Sequence, residues 1–189
     1  YTGQCHDCPQ LNSRKYHDMA YRIFKRKEQM LQGTRIQFVA CSRWLGNMAT
    51  NSHLLHDCKI QCVPNAINTN LFRPRSKCQA REAIGLPSDK QLILFSSHSL
   101  ADERKGFHYL KEAVKVLADE HIEWKSRLGI VVIGKDISPA MYQDIPCDVY
   151  PLSYVADEKK LVEVYNAVDL FAIPSLQDNL PNTIVEAMA

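Results

Sequence analysis

Leu128-Gly129-Ile130-Val131-Val132-Ile133 is an unbroken apolar run that stops at Gly134. A strand with one wet face would alternate apolar and polar residues. A run this short and this uniform fits a parallel strand covered by helices on both faces. Before it, residues 91–96 read as a second strand rich in Leu, Ile and Phe, and residues 97–106 as a polar loop. Phe107, Leu110, Ala113, Val114, Leu117 and Ala118 then recur at helical spacing. After it, residues 148–150 predict a short strand. Asp157 caps a helix with Leu161, Val162, Tyr165 and Val168 inward, residues 170–173 form the next strand, and Pro181 or Asn182 opens a last helix. This alternation predicts an α/β fold with a Rossmann-like, doubly wound parallel sheet. Ligands in such sheets bind beyond the carboxyl ends of the strands. The polar loops 97–106 and 175–182 both fall there.

The same rhythm is present upstream. Ala20, Ile23, Phe24, Met30 and Leu31 fall near one helical stripe that Gly33 ends. Residues 36–40 predict a buried strand. Ser42 caps a helix with Leu45, Met48, Ala49 and Leu55 on its apolar face, and residues 60–63 predict another strand. Residues 64–74 crowd Pro, Asn and Thr and read as a linker. Lys77–Ile84 follows as a short helix between Ser76 as cap and Gly85 as stop.

The chain of 189 residues is long enough for one α/β domain, or for one domain and part of another. Hydrophobic residues at 46% and charged residues at 23% are ordinary for a globular chain, and a net charge of +2 is too small to argue for nucleic acid. The longest strongly apolar stretch, 128–133, is far short of the ~20 residues a membrane-spanning helix needs. Tyr1 opens without a charged and then apolar leader and without an initiator Met. The expectation is therefore no signal peptide and a start inside a longer protein. Seven cysteines, an odd number scattered among strand-like segments, suit a reducing compartment better than a disulfide framework. Cys5 and Cys8 form a CxxC pair that Cys58 and Cys62 could complete as a four-thiolate zinc site, with incidental thiols as the alternative.

Two constellations carry chemistry. Asp178 and Glu186 are separated by seven residues, the first in a loop after a strand and the second about one turn into a helix. An ionised carboxylate offers about four acceptor sites, so such a pair suits sugar hydroxyls. Between them, Asn182 and Thr183 start a helix whose free N–H groups suit a phosphate. An N-cap Asn and a first-turn acid are the structural alternative. The second constellation is Arg104-Lys105-Gly106, before a helix start. Arg offers a planar fork and Lys a point charge to a diphosphate, and a solvated basic turn is the alternative.

Together and in this order, these segments resemble the family-four retaining glycosyltransferases, often called group 1. The resemblance is carried by Arg104-Lys105-Gly106-Phe107 and by the tail Pro174-Ser175-Leu176-Gln177-Asp178-Asn179-Leu180-Pro181-Asn182-Thr183-Ile184-Val185-Glu186-Ala187-Met188-Ala189. Val63-Pro64-Asn65-Ala66-Ile67-Asn68, running on to Pro74, looks like the family's interdomain linker. The resemblance implies part of a GT-B fold. Residues 1–62 would be the C-terminal part of the acceptor-side domain, 63–76 the linker, and 77–189 a donor-binding domain cut at its C-terminal end. It further implies that Lys105, with Arg104, holds the donor diphosphate, that Asp178 contacts sugar hydroxyls beside the backbone of Asn179, Leu180 and Pro181, and that Glu186 binds the ribose. Leu152, Ser153, Tyr154 and Val155 would lie near the base, and Asn182 and Thr183 near the phosphates.

The implied activity is sugar transfer, with retention, from a UDP- or GDP-linked donor to a glycan or lipid-linked acceptor in surface polysaccharide, capsule or glycoconjugate synthesis. No cofactor is implied. No Asp-x-Asp pair occurs in the sequence, which agrees with a metal-independent reaction. The implied setting is cytoplasmic, peripheral at the inner membrane face, and the 189 residues alone are expected to be inactive. Tyr21, Arg22, Ile23, Phe24, Lys25, Arg26 and Lys27 place basic and aromatic residues on one helix that could touch an anionic membrane, with a solvated face as the alternative. The sequence departs from the family at three points. Asp178 stands where the family has Glu, Ala66 stands where the linker has Gly, and the family's Arg earlier in the Lys-Gly loop has no equivalent unless Arg104 takes its place. A non-catalytic nucleotide-binding or scaffold module of the same fold is the competing reading.

Overall fold

The computed structural model describes residue 3, residues 5–12 and residues 15–189. The chain divides into two compact units, Tyr1–Ala66 and Ile67–Ala189, so the division falls inside the segment read as a linker.

In the first unit, α1 (Met19–Leu31) starts at Asp18, whose carboxylate accepts the amides of Cys8 at 2.7 Å and Tyr21 at 2.8 Å. These two amides, Cys8 foremost, hold the Asp18 carboxyl below the usual carboxylate range. Of the five residues expected on the apolar stripe of α1, only Phe24 is buried; Ile23 and Met30 are exposed. The unit offers that helix little to pack on. Its sheet is the two-stranded parallel pair β1 (Phe38–Ala40) and β2 (Ile60–Cys62), joined through α2 (Arg43–Thr50). Ser42 caps α2 by accepting the Leu45 amide at 3.1 Å, as the sequence predicts. Leu55 lies in the turns beyond the helix and not on its face. Cys5, Cys8, Cys58 and Cys62 are separate thiols, and no group of three or more His, Cys, Asp or Glu side chains converges among the described residues. The four-thiolate arrangement is not formed. No helix among the described residues is long and apolar enough to cross a membrane.

The second unit runs α3 (Lys77–Ile84), β3 (Gln91–Ser99), α4 (Phe107–Glu120), α5 (Trp124–Arg127), β4 (Leu128–Lys135), β5 (Asp148–Leu152), α6 (Glu158–Ala167), β6 (Leu170–Phe171) and α7 (Asn182–Met188). Its sheet has the order β5-β4-β3-β6 and every pairing is parallel. The apolar run 128–133 is covered on both faces. Leu128, Ile130 and Val132 point into one core with Phe107, Leu110 and Val114 of α4. Val131 and Ile133 point into the other, with Ala80 of α3 and Val164 and Ala167 of α6. A strand buried on both faces has no wet positions, so its sequence cannot alternate.

Several strand ends differ from expectation, β4 and β5 each running two residues further. β3 continues through Ser97, His98 and Ser99, read as loop because they are polar, and rejoins β4 at Ser99↔Lys135 after a register shift. β6 is two residues long, although Leu94 still accepts the Ala172 amide at 2.9 Å.

One buried cation ties the unit together. Arg81, 5% exposed, donates from Nε to the Ala167 carbonyl at 2.7 Å and from one terminal nitrogen to the carbonyls of Pro87, Ser88 and Lys90. Its other terminal nitrogen reaches Asp169 Oδ2 at 2.7 Å, and the same oxygen accepts the Leu92 amide. Burial opposes ionisation of Asp169. Hydrogen bonds from Lys77 and the Leu92 amide, with the charge of Arg81, overcome it and hold the carboxyl below its ordinary value. The guanidinium thus fastens α3, the start of β3 and the end of α6 at one point.

The topology also selects a site. From β3 the chain runs outward to β4 and then β5, and returns through α6 to β6 on the other side of β3. The direction of winding reverses between β3 and β6. In open α/β sheets the crevice at the carboxyl ends of such a strand pair is where ligands bind.

Candidate functional site

The two loops flanking that crevice are the ones the sequence singled out. The loop after β3 closes with a single 3-10 turn, Glu103–Lys105. Asp102 caps it, accepting the Arg104 amide at 3.1 Å, and also takes the Arg104 guanidinium at 3.2 and 2.7 Å. Arg104 is therefore engaged within its own turn, with a side chain 67% exposed. Lys105 points the other way. Its Nζ meets Asp178 Oδ2 at 2.7 Å, the side chains being 30% and 25% exposed. The loops of β3 and β6, 73 residues apart in sequence, thus meet through one cation and one carboxylate.

The backbone makes this meeting possible. Gly106 has φ +74°, in the left-handed region that favours glycine. A Cβ there would overlap the Pro174 carbonyl oxygen and lie 2.8 Å from its carbon. Leu176 donates its amide to the Arg104 carbonyl at 2.8 Å, so the Lys-Gly step and the Pro-Ser step are locked together on both sides of Lys105. Between these contacts Ser175 Oγ is buried, the one buried side-chain N or O among the described residues that makes no hydrogen bond. Gly106 is also the residue from which α4 starts, with no side-chain cap. Free N–H groups at the start of a 14-residue helix therefore adjoin Lys105.

Downstream, Asn179 donates its amide to Asp178 Oδ1 at 3.2 Å, and Leu180 is half-buried. Pro181 takes the N-cap position of α7, so Asn182 is the first helical residue and not the cap; Thr183 follows it in the first turn. Glu186 lies further along α7, where its Oε2 accepts the Tyr165 hydroxyl at 2.8 Å. Burial, then this hydrogen bond to a carboxylate, pushes the Tyr165 phenol far above its usual range, so it stays protonated and donating.

The end of β5 and the segment after it divide by facing. Leu152, the last residue of β5, and Val155 are half-buried and pack against the core beside α6. Ser153 and Tyr154 are exposed. Tyr154 has Lys135 Nζ over its ring at 5.2 Å and His98 edge-on at 6.2 Å. His98, Lys135 and Tyr154 thus gather at the carboxyl ends of β3, β4 and β5.

Sequence reasoning missed Tyr165 and Asp102. Tyr165 was placed on an apolar helix face, which is correct for its ring, but no spacing rule reports a partner 21 residues away. Asp102 carries a usable signal, an acid two residues before a turn amide. Three clefts are formed among the described residues. One of about 640 Å³ in the first unit is lined by Glu28, His53, His56 and Lys59 among others; one of about 530 Å³ lies beside Arg75, Ile84 and Glu163; one of about 490 Å³ lies next to the two loops, beside Glu103, Phe107, Tyr109 and Leu176. None of the three is lined by Lys105, Asp178 or Glu186. Volume alone does not identify chemistry; the convergence of paired charges and a glycine-dependent close approach at a switch point is the stronger sign.

Comparison with known proteins gives the family and the fold. Residues 90–189 match the family model described as glycosyl transferases group 1. D-inositol 3-phosphate glycosyltransferase of Thermobispora bispora is 27% identical over 141 residues, which cover 69% of this chain and 32% of that protein. The chain spans about a third of the length of the curated relatives it matches. Among solved structures, sucrose-phosphate synthase from Thermosynechococcus elongatus superposes with a TM-score of 0.67 at 18% identity, covering 95% of this chain and 44% of that one. Anabaena Alr3699/HepE, solved in complex with UDP and glucose, gives 0.57 at 19% identity over 79% of this chain and 41% of that one. At such identities the likeness is one of fold: parallel α/β sheets as in the GT-B glycosyltransferases, of which this chain carries a part.

Proposed function

The chain belongs to the group 1 glycosyltransferases, and on that premise we propose that its second unit holds the donor in a reaction moving a sugar from a UDP- or GDP-linked donor to a glycan or lipid-linked acceptor. The observation that carries the reading is the 2.7 Å pair between Lys105 and Asp178 at the switch point. The two residues stand in for each other's ligands. With donor bound, Lys105 turns to the diphosphate and Asp178 to hydroxyls of the sugar, while Glu186 takes the ribose. Departure of the nucleoside diphosphate builds negative charge. A fixed ammonium and the start of α4 stabilise it without reorganising at the moment of reaction. That arrangement supports a metal-independent transfer, and the family resemblance supports retention. The exposed side chains of Arg22, Arg26 and Lys27 on α1 support peripheral contact with an anionic membrane carrying the acceptor.

Isothermal titration with UDP and with GDP tests the phosphate assignment. Lys105→Ala is expected to weaken the diphosphate that binds by about 10- to 100-fold, the range of a hydrogen bond to a charged group at about 1.5–3 kcal/mol. Unchanged affinity in that variant would remove Lys105 from the phosphate site.

A further inference from the structure

Tyr165 does something for Glu186 beyond packing. We propose that it is a positioning residue, holding one carboxylate oxygen of Glu186 so that the other faces the ribose of the nucleotide; this rests on the reading of Glu186 as the ribose ligand.

The asymmetry between the two partners carries the argument. Tyr165 sits in α6 and is fixed on several sides. Its ring meets Phe171 edge-on at 5.9 Å and Phe72 at 6.4 Å, Phe72 itself being 5% exposed. The ring also packs against the core that contains Val164, Ala167 and Leu94. Glu186 is only half-buried. It lies on the seven-residue α7, which has no buried residue. A glutamate side chain there has three rotatable bonds, and ordering it on binding would weaken the complex. The 2.8 Å bond from a rigid phenol orders it in advance. An ionised carboxylate has about four acceptor sites. Tyr165 occupies one on Oε2, leaving acceptors for two neighbouring hydroxyls such as those of a ribose. A group that only tied α6 to α7 would not need a carboxylate as partner, nor a partner expected in the ligand site.

The test separates positioning from packing. Wild type and Tyr165→Phe are titrated with UDP and GDP, with the 2′,3′-dideoxy form of whichever binds, and with inorganic pyrophosphate. Phe retains the ring and its contacts and removes only the hydroxyl. The wild-type chain is expected to prefer the ribose form. Tyr165→Phe should lose about three- to tenfold of that preference, the effect of one hydrogen bond lost or misdirected, with pyrophosphate affinity unchanged. In Glu186→Gln, adding Tyr165→Phe should cost no further preference. Full preference retained in Tyr165→Phe would overturn the assignment of Tyr165, as would additive losses in the double variant. Absence of any ribose preference in wild type would overturn the role of Glu186, and that of Tyr165 with it.

Discussion

Arg81→Ala is expected to destabilise the second unit by about 3–5 kcal/mol, the cost of removing one partner from a buried ion pair. Four backbone carbonyls and the Asp169 carboxylate take hydrogen bonds from this one side chain. Alanine removes that donor from all five, the Ala167 carbonyl among them in a buried position. With domain stabilities of about 5–15 kcal/mol, that loss leaves a large part of the margin gone. Arg81→Lys is expected to recover little, because one ammonium cannot reach carbonyls at residues 87, 88, 90 and 167 together with Asp169. Urea unfolding followed through Trp124, which packs against the α4 core, in a Trp44→Phe background reads the second unit. A change below about 0.5 kcal/mol, the range of an ordinary surface substitution, would show that the guanidinium is not the fastening it is described as.

Gly106→Ala is the second large effect, and here the loss falls on function. Two costs combine. A non-glycine residue in the left-handed region costs about 1–2 kcal/mol, and the new Cβ would overlap the Pro174 carbonyl, so one of the two loops must move. Gly85 provides the control. Its φ is +71°, nearly the same, but an added Cβ would meet nothing within 4 Å. Gly85→Ala is expected to cost about 1 kcal/mol and leave nucleotide affinity alone, by the conformational cost only. Gly106→Ala should cost more and part Lys105 from Asp178, abolishing measurable diphosphate binding. Equal effects on stability and binding in the two variants would mean that the Gly106–Pro174 contact does not set the site.

These residues mark how far the sequence was legible. Lys77–Ile84 was readable to the residue because both ends carry local chemistry: the Ser76 hydroxyl takes the Gln79 amide and Gly85 supplies the left-handed turn. The doubly covered strand was readable because burial on two faces removes polar residues. The strand end at Ser97, His98 and Ser99 was not, because its pairing to Lys135 is decided by the neighbouring strand and not by its own polar side chains. The stripe on α1 failed for the opposite reason. Periodicity predicts a face able to bury, and a unit with two three-residue strands gives that face little to bury against. Nothing local in the sequence marks Arg81, since its partners lie up to 88 residues away. At the site, Lys105, Asp178 and Glu186 were each visible as a residue type in a loop or helix. Their partners were not: Lys105 with Asp178 and Tyr165 with Glu186 are long-range pairs that only the strand order brings together.

The proposed place of the nucleoside diphosphate is where the loops after β3 and β6 meet. Amide chemical-shift mapping of the isotopically labelled chain, titrated with UDP and with GDP, tests it most directly. The predicted shifts gather on Gly106 and Phe107, on Asp178 and Asn179, and on Thr183 to Glu186. Shifts gathered instead around Glu28, His53 and Lys59, the larger cleft of the first unit, would contradict the account.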